Sequence, residues 1–150
     1  MRVCLVHHAD AVGPQDDPQR PLSDLGRRQA AWLADVIRDR GFRPTAIWHS
    51  GKLRSRQTAE AFLHAGNPFA EIRMVRGLRP DDPPDWLRDA LTAETREVLA
   101  VGHMPNLPAL ARMLSQAAQE FPLHGVVGFE RVEGGGWREF LRAAPALSPG

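Results

Sequence analysis

Short apolar runs that lead directly into polar residues are the feature that most constrains the fold of this chain. Residues 3–6 run into His7 and His8, and residues 97–101 run into a glycine followed by His103. Apolar runs of this length are typical of strands that are buried on both faces. Such strands occur in sheets covered by helices on both sides, so the chain is predicted to be an α/β protein.

The segments between these runs complete the pattern. Strands are predicted at residues 3–6, 46–48, 72–75, 97–101, 126–132 and 137–142, and helices at residues 23–40, 53–65, 85–93 and 107–114. Strands that alternate with helices indicate a three-layer α/β/α sandwich with a mostly parallel central sheet. The glycines at 134–136 join the last two strands in a predicted hairpin, which adds an antiparallel edge.

Length, charge and cysteine content set further limits. The 150 residues are predicted to form a single domain, 1–150, with residues 143–150 as a flexible tail rich in proline. A net charge of +1 gives no reason to expect a nucleic acid or a membrane as partner. The single cysteine, Cys4, cannot form an internal disulfide, and the apolar start is too short for a signal peptide. Both features favour the cytoplasm.

Histidine and arginine side chains are predicted to meet at one edge of the sheet. His7, His8 and His103 follow two of the strands, and Arg54 follows the turn after a third. Ligands of open α/β sheets bind beyond the carboxyl ends of the strands, so these residues should share one crevice. A neutral imidazole is a competent nucleophile near neutral pH, and a guanidinium binds phosphate oxygens in pairs. The set therefore indicates a site for phosphoryl transfer.

Four motifs, in their order along the chain, resemble the histidine phosphatase superfamily and more narrowly its SixA-type phosphohistidine phosphatase branch. They are His-His-Ala-Asp-Ala at 7–11, Arg-Pro-Leu-Ser-Asp-Leu-Gly at 20–26, Ser-Gly-Lys-Leu-Arg-Ser-Arg-Gln-Thr at 50–58 and Val-Gly-His-Met-Pro at 101–105. Each motif is short, but the ordered set is specific. The resemblance implies a phosphoglycerate mutase-like fold and the hydrolysis of a phosphohistidine on a protein.

The resemblance also implies roles for individual residues. His8 would take the phosphoryl group as a covalent phosphohistidine that water then releases. The implied site consists of catalytic His8, His103 and Arg54 and substrate-binding His7, Arg20 and Asp10. The resemblance implies no metal and no cofactor. The expected ligands are a phosphorylated protein domain or a small phosphorylated substrate, with phosphate or another oxyanion in the site.

Two positions depart from the family pattern. His7 stands where the family has arginine. A neutral histidine offers one N–H donor and lacks the paired donors with which a guanidinium binds two phosphate oxygens. Weaker phosphate binding is therefore predicted, with better activity at mildly acidic pH, where His7 would be charged. Gly77 lies where relatives that cleave phosphate esters often place a glutamate acid. A phosphohistidine substrate loses a protonated imidazole, a much better leaving group than an alkoxide, so this departure favours a phosphohistidine substrate. Asp10, Asp81 and Asp82 are alternative acids.

Other interpretations stay open on the sequence. Loss of the arginine at position 7 could leave a module that binds phosphate or phosphohistidine without turnover, and a small-molecule phosphomonoesterase of the superfamily would share the motifs. A metal site built from His7, His8, Asp10 and His103 is a weaker alternative, because adjacent strand residues point to opposite faces. By the same rule His7 could point away from His8 and only pack.

The remaining polar residues near these motifs are given structural roles. His49, His64 and His124 are predicted to be structural or at the surface. Arg20 has an alternative partner in Asp16 or Asp17 of its own loop. Cys4 lies in a predicted buried strand, where burial raises the pKa of a thiol, so it is predicted to pack rather than react.

Overall fold

A computed structural model, which describes residues 1–116 and 120–145, shows six strands and four helices over those ranges. The strands are β1 (Arg2–His7), β2 (Ala46–His49), β3 (Glu71–Met74), β4 (Val98–Gly102), β5 (Val126–Arg131) and β6 (Trp137–Ala143). The helices are α1 (Asp24–Asp39), α2 (Leu53–Ala65), α3 (Pro84–Ala93) and α4 (Asn106–Leu114). Within the described ranges, no helix combines the length and the apolar character needed to cross a membrane.

The six strands form one sheet in the order β3-β2-β4-β1-β5-β6. The first four strands in this order run parallel to their neighbours. β5 lies antiparallel to β1, and β6 lies antiparallel to β5. The predicted mostly parallel sheet with an antiparallel edge is confirmed.

An apolar core lies on each face of the sheet. Alternate residues of β1 point to opposite faces, so β1 contributes side chains to both cores. Cys4 belongs to the core that contains Leu33 of α1 and Phe62 of α2. Leu5 belongs to the opposite core, which contains Leu107 of α4 and residues of α3. Because both faces are covered, residues 3–7 of β1 are all buried, and this accounts for its continuous apolar run. The three-layer prediction is therefore confirmed.

The start of α1 shows how local chemistry fixes the chain near the carboxyl edge of the sheet. Ser23 is the predicted N-cap, and its Oγ accepts the Gly26 N–H over 3.0 Å. Gly26 packs so closely that a Cβ atom there would lie 2.0 Å from the carbonyl oxygen of Asp10. The glycine thus allows α1 to begin directly against the loop that follows β1.

The chain end differs from its prediction. Ala143 was expected to begin a flexible tail, but it is the last residue of β6 and pairs with Val126 of β5. Strand pairing extends one residue beyond the predicted end because the β5 ladder continues opposite it. The rest of the predicted tail from residue 146 onward lies outside the described residues.

Candidate active site

Two neighbouring strands deliver three histidines to one edge of the sheet. His7 is the last residue of β1 and His8 follows it, while His103 follows the end of β4. β1 and β4 are paired in parallel, so their carboxyl ends reach the same edge. The centroid of the His8 ring lies 4.4 Å from that of His7 and 4.9 Å from that of His103. The structure thus brings the three side chains together, and His7 does not point away from His8.

The hydrogen bonds of His8 determine which of its ring nitrogens carries the proton. Its Nδ1 lies 2.8 Å from the carbonyl oxygen of Ala9, which can only accept, so Nδ1 carries the proton and Nε2 keeps a free lone pair. Its backbone N–H donates to the carbonyl of Gly102 over 3.1 Å. Burial lowers the pKa of His8 to about 4, against the opposing effect of the Ala9 hydrogen bond. At neutral pH the ring is uncharged and nucleophilic at Nε2.

His103 presents a buried ring nitrogen without a partner. Its Nε2 lies 2.7 Å from Oγ of Ser50, which also accepts the Lys52 N–H over 3.2 Å. The Ser50 hydroxyl has no other acceptor among the described residues, so it donates to Nε2 and leaves a proton on Nδ1. That Nδ1 is buried and has no partner in the described part of the chain. Buried donors are rarely left unpaired, so Nδ1 suits an incoming oxyanion.

Arg54 lies in the first turn of α2 and is held by residues of its own motif. Its carbonyl accepts the Thr58 hydroxyl over 2.8 Å, and Thr58 Oγ1 in turn accepts the Ala9 N–H over 3.0 Å. Ser55 ties the same turn to β4 by donating to the carbonyl of Val101 over 2.8 Å. The Nε of Arg54 is buried and unpartnered within the described ranges. A charged donor is therefore available beside the neutral donor of His103.

Arg20 lies close to Arg54 and the histidines, and its side chain is held by a backbone carbonyl rather than by a carboxylate. Its Nε donates to the carbonyl of Val12 over 3.0 Å, and its backbone adopts a left-handed φ of 52°. The charge of Arg20 is one cause of the lowered pKa values of His8 and His103. Over residues 1–116 and 120–145 it makes no ion pair with an aspartate, so the alternative role in its own loop is not seen.

Asp10 is used to hold the loop after β1. Its Oδ2 accepts the Ser23 hydroxyl over 2.5 Å, and its backbone N–H donates to Oε1 of Gln29 over 2.9 Å. A carboxylate bound in this way is poorly placed to bind a phosphate or to donate a proton. The geometry favours a positioning role for Asp10 over the substrate contact and acid role expected from the sequence.

The loop before α3 explains the missing glutamate. Gly77 has a φ of 102°, and a Cβ atom there would lie 3.0 Å from the Leu87 nitrogen. A side chain at this position is therefore strained. Asp82 accepts the backbone N–H groups of Gly77 and Arg79, each over 3.0 Å. The Asp82 carboxylate is therefore engaged in organising the loop. Of the alternative acids, exposed Asp81 is the one whose carboxylate has no hydrogen-bond partner among the described residues.

His7 is buried and neutral. Only 5% of it is exposed, and its Nδ1 accepts the His124 N–H over 2.8 Å. Burial lowers the pKa of His7 to about 2, with smaller effects from neighbouring charges on His8 and His124. The prediction that mild acid charges His7 is therefore wrong, because the sequence could not show how deeply the ring is buried. With Nδ1 occupied, Nε2 carries the proton and can donate to an oxyanion.

His124 joins the site although it was predicted to be structural or at the surface. Its Nδ1 donates to the carbonyl of His8 over 2.8 Å. Its ring stacks on that of His7 at 4.9 Å, with an angle of 11° between the planes. No motif surrounds His124, and more than one hundred residues separate it from both partners. Only the folded chain reveals this contact.

The histidine cluster suits an oxyanion better than a metal. Side-chain nitrogens of His7, His8 and His124 lie within 4.8 Å of one another. The Nδ1 lone pair of His7 is already engaged and its Nε2 is protonated, so His7 cannot ligate without losing that arrangement. Two imidazoles remain, fewer than the three or four protein ligands of ordinary zinc sites. The donors of this edge instead match the oxygens of a phosphoryl group.

Comparison with known proteins agrees with this chemistry. The family model described as histidine phosphatase superfamily (branch 1) matches residues 3–97, a range that includes His7, His8 and Arg54. His103 and His124 lie beyond the matched range. No protein of curated function matches this sequence.

Solved structures share the fold over nearly the whole chain. The protein histidine phosphatase SixA complexed with tungstate has a TM-score of 0.85 at 20% identity, covering 96% of this chain and 97% of its own. A protein from Agrobacterium tumefaciens, assigned as a phosphohistidine phosphatase SixA, has a TM-score of 0.79 at 28% identity over 96% and 97%. A mycobacterial glucosyl-3-phosphoglycerate phosphatase complexed with VO3 has a TM-score of 0.71 at 16% identity over 96% and 99%. A phosphoglycerate mutase from Plasmodium falciparum is similar as well, with a TM-score of 0.73. The phosphoglycerate mutase-like fold is thereby confirmed.

Proposed function

The chain belongs to the histidine phosphatase superfamily, and on this basis we propose that it hydrolyses phosphohistidine on a protein through a covalent intermediate on His8. Membership of the superfamily supports phosphatase activity in general. The likeness to SixA proteins supports the narrower substrate. The observation that carries the proposal is the free Nε2 lone pair of His8, held beside unpartnered donors of His103 and Arg54.

The proposed reaction has two steps. Nε2 of His8 attacks phosphorus while the bond between phosphorus and the substrate imidazole breaks. The substrate ring, protonated at its other nitrogen, takes that bond's electron pair and leaves as neutral imidazole. Water then attacks the phosphoryl group on His8. The bond between phosphorus and Nε2 of His8 breaks, its electron pair returns to Nε2, and inorganic phosphate departs after exchanging protons with solvent. The Nδ1–H of His103, the guanidinium of Arg54 and the Nε2–H of His7 are the donors available to the phosphoryl oxygens. Positioned donors of this kind supply most of the catalysis that phosphoryl transfer needs.

The loop before α3 supports the phosphohistidine substrate. Cleavage of a phosphate ester requires a proton for the leaving alkoxide, and Gly77 supplies none. Asp82 is occupied by two backbone N–H groups. A substrate imidazole that is protonated at its other nitrogen leaves without that help, so the site matches this easier reaction even though Asp81 remains available as an acid. A phosphorylated signalling or phosphotransfer domain and a cytoplasmic location belong to the same proposal.

One observation favours a second candidate, a module that binds a phosphoryl group without turnover. The superfamily's arginine is replaced by His7, which burial keeps neutral, so the site has one charge fewer than expected. A small-molecule phosphomonoesterase is a weaker candidate. Its support is the likeness to the mycobacterial phosphatase, at 16% identity.

Phosphate release tests the proposal directly. Wild type, His8→Ala and His7→Arg would be incubated with a phosphohistidine-bearing peptide, and phosphate release would be corrected for spontaneous hydrolysis. We expect turnover by wild type and none by His8→Ala. A radiolabelled phosphoryl group should appear transiently on wild type and on His7→Arg but not on His8→Ala. Release that survives His8→Ala would overturn the covalent mechanism. Binding without release in wild type, restored by His7→Arg, would support the binding module instead.

A further inference from the structure

A groove lies between β3 and α3, beside the candidate active site. It has a volume of about 700 Å³, and its lining includes Trp48, Arg73 and Trp86. A second cavity of about 350 Å³ shares Trp86 with it and reaches Ser50. Oγ of Ser50 is the hydrogen-bond partner of His103. The groove therefore extends from the candidate site towards β3, the outer strand of the sheet.

Three arginines line the groove and the cavity beside it, and Glu71 is the only acidic partner that any of them has among the described residues. Arg73 makes an exposed ion pair of 3.3 Å with Glu71. Arg76 and Arg79 make no ion pair with any described residue. The guanidinium of Arg76 lies 4.8 Å from the ring centroid of Trp86, and a cation placed over a ring keeps its N–H edge open to acceptors. Positive charge is thus presented beside the path to the site.

The carboxylates of the groove do not neutralise these arginines. Asp82 accepts two backbone N–H groups of its own loop. Asp89 pairs with Arg88 at 3.1 Å. Both carboxylates have nearer partners, so the groove is complementary to an acidic ligand.

Apolar and backbone groups of the groove point to an extended polypeptide. Trp86 and Met74 are 42% and 59% exposed, although both are large apolar side chains. The indole Nε1 of Trp48 is buried and has no acceptor among the described residues. The outer edge of β3 also pairs with no other strand in the described part of the chain. A peptide backbone supplies acceptors for such groups while its side chains cover the apolar surface.

We infer that this groove binds an acidic, extended segment of the phosphorylated protein, adjacent to the phosphohistidine that enters the site. The inference rests on the proposed function, because it concerns the part of the same substrate that lies outside the phosphoryl pocket. The acidic segment adds affinity and selects the partner, while the histidine edge performs the chemistry.

Matched peptides test the groove. Each carries one phosphohistidine followed by a run of glutamates, of glutamines or of lysines. We expect kcat/KM for the glutamate peptide to exceed that for the glutamine peptide by roughly tenfold in wild type, as for a few exposed charge pairs. The Arg73→Glu/Arg76→Glu variant should lose this preference and favour the lysine peptide. Arg28→Glu, an exposed substitution on α1, should leave the preference unchanged.

The groove can also be tested without catalysis. Fluorescence anisotropy of the labelled, unphosphorylated glutamate peptide should show binding to wild type that weakens with salt and is lost in the double variant. Arg73→Gln/Arg76→Gln gives the same test without reversed charge. If no peptide is dephosphorylated but the glutamate peptide still binds through these arginines, the proposed function fails and the groove inference stands.

Two results would overturn the inference. One is equal kcat/KM for the glutamate and glutamine peptides with normal turnover of both. The other is self-association of wild type, measured by sedimentation, that the double variant abolishes. The second result would show that the groove is covered by another copy of the chain.

Discussion

The backbone N–H of His124 donates to Nδ1 of His7 over 2.8 Å, across 117 positions of sequence. This single contact fixes the tautomer of His7, because a nitrogen that accepts a hydrogen bond cannot carry the proton. The proton resides on Nε2, and His7 becomes a neutral donor in the place of the family's arginine. His124 then stacks on the ring that it orients.

Replacement of His7 by arginine should strengthen phosphate binding. The guanidinium adds a charge and a paired donor, so we expect roughly tenfold tighter inhibition by tungstate and a lower KM. The His124 N–H loses its acceptor, which should cost about 1–3 kcal/mol of stability. Steady-state kinetics and urea denaturation measure the two effects. His7→Gln, which keeps an uncharged acceptor and donor, is the control, and unchanged tungstate inhibition in His7→Arg would contradict the argument.

The pH dependence of the rate should follow His8 rather than His7. Burial lowers the pKa of His8 to about 4, so its nucleophilic neutral form persists well below neutral pH. We expect kcat/KM, corrected for acid hydrolysis of the substrate, to stay level from pH 7 to about 5 and to fall towards pH 4. A rise in kcat/KM between pH 7 and 6 would show instead that His7 becomes charged in this range and would contradict the argument.

Stability should decline with acid because of the same histidines. Burial lowers the pKa to about 2 for His7, about 4 for His8 and about 3 for His103, from 6.5 in an exposed chain. Between 6.5 and those values the unfolded chain binds more protons, so the free energy of unfolding falls as pH falls. The slope is up to about 1.4 kcal/mol per pH unit for each histidine. Urea denaturation from pH 7.5 to 5 should show a shallower slope for His7→Gln, and parallel slopes would refute the assignment.

Ser50 should act as a positioning residue for His103. Ser50→Ala removes the donor to Nε2, so the proton of His103 is free to move between its two nitrogens. We expect kcat/KM to fall roughly ten- to hundredfold, the equivalent of about 1–3 kcal/mol. Nitrogen NMR of the imidazole should report the change of tautomer, and Ser50→Thr should restore both readouts. A normal tautomer with reduced activity would assign Ser50 a different role.

Thr58 should couple stability to the placement of Arg54. Thr58→Val removes the donor to the Arg54 carbonyl and the acceptor of the Ala9 N–H, so we expect a loss of about 1–3 kcal/mol together with weaker phosphate binding. Thr92→Val is the matched control, because Thr92 makes a similar bond to the Arg88 carbonyl on an exposed surface. Denaturation and tungstate inhibition measure both variants. Equal stability of the two would show that the Ala9 contact contributes little.

The order of strands and helices could be predicted because it depends on local patterns. The continuous apolar run of β1 and the helical spacing in α1 each reflect which faces are buried. Ser23 was identifiable as a cap from its side chain alone. The end of β6 was missed because Ala143 is held in the strand by a partner in β5, which no local pattern reports.

The candidate site was predictable where the motifs name its residues and unpredictable where distant segments meet. His8, His103 and Arg54 follow strands or turns whose ends must share one edge of a parallel sheet. The positioning role that the geometry favours for Asp10 could not be predicted, because its engagement by Ser23 depends on how α1 packs against the loop. His124 was missed because its neighbours carry no signal of the site.

The sequence by itself determined the α/β alternation, the Ser23 cap of α1 and the presence of two strand-end histidine motifs and of an arginine at the start of a helix. These properties arise from periodicity and residue chemistry, which act over a few positions. Only the tertiary structure decided which nitrogen of His7, His8 and His103 carries a proton, that burial lowers the pKa of each of these three, and that a cationic groove adjoins the site. Those properties depend on desolvation and on contacts between residues far apart in the chain, which exist only after folding.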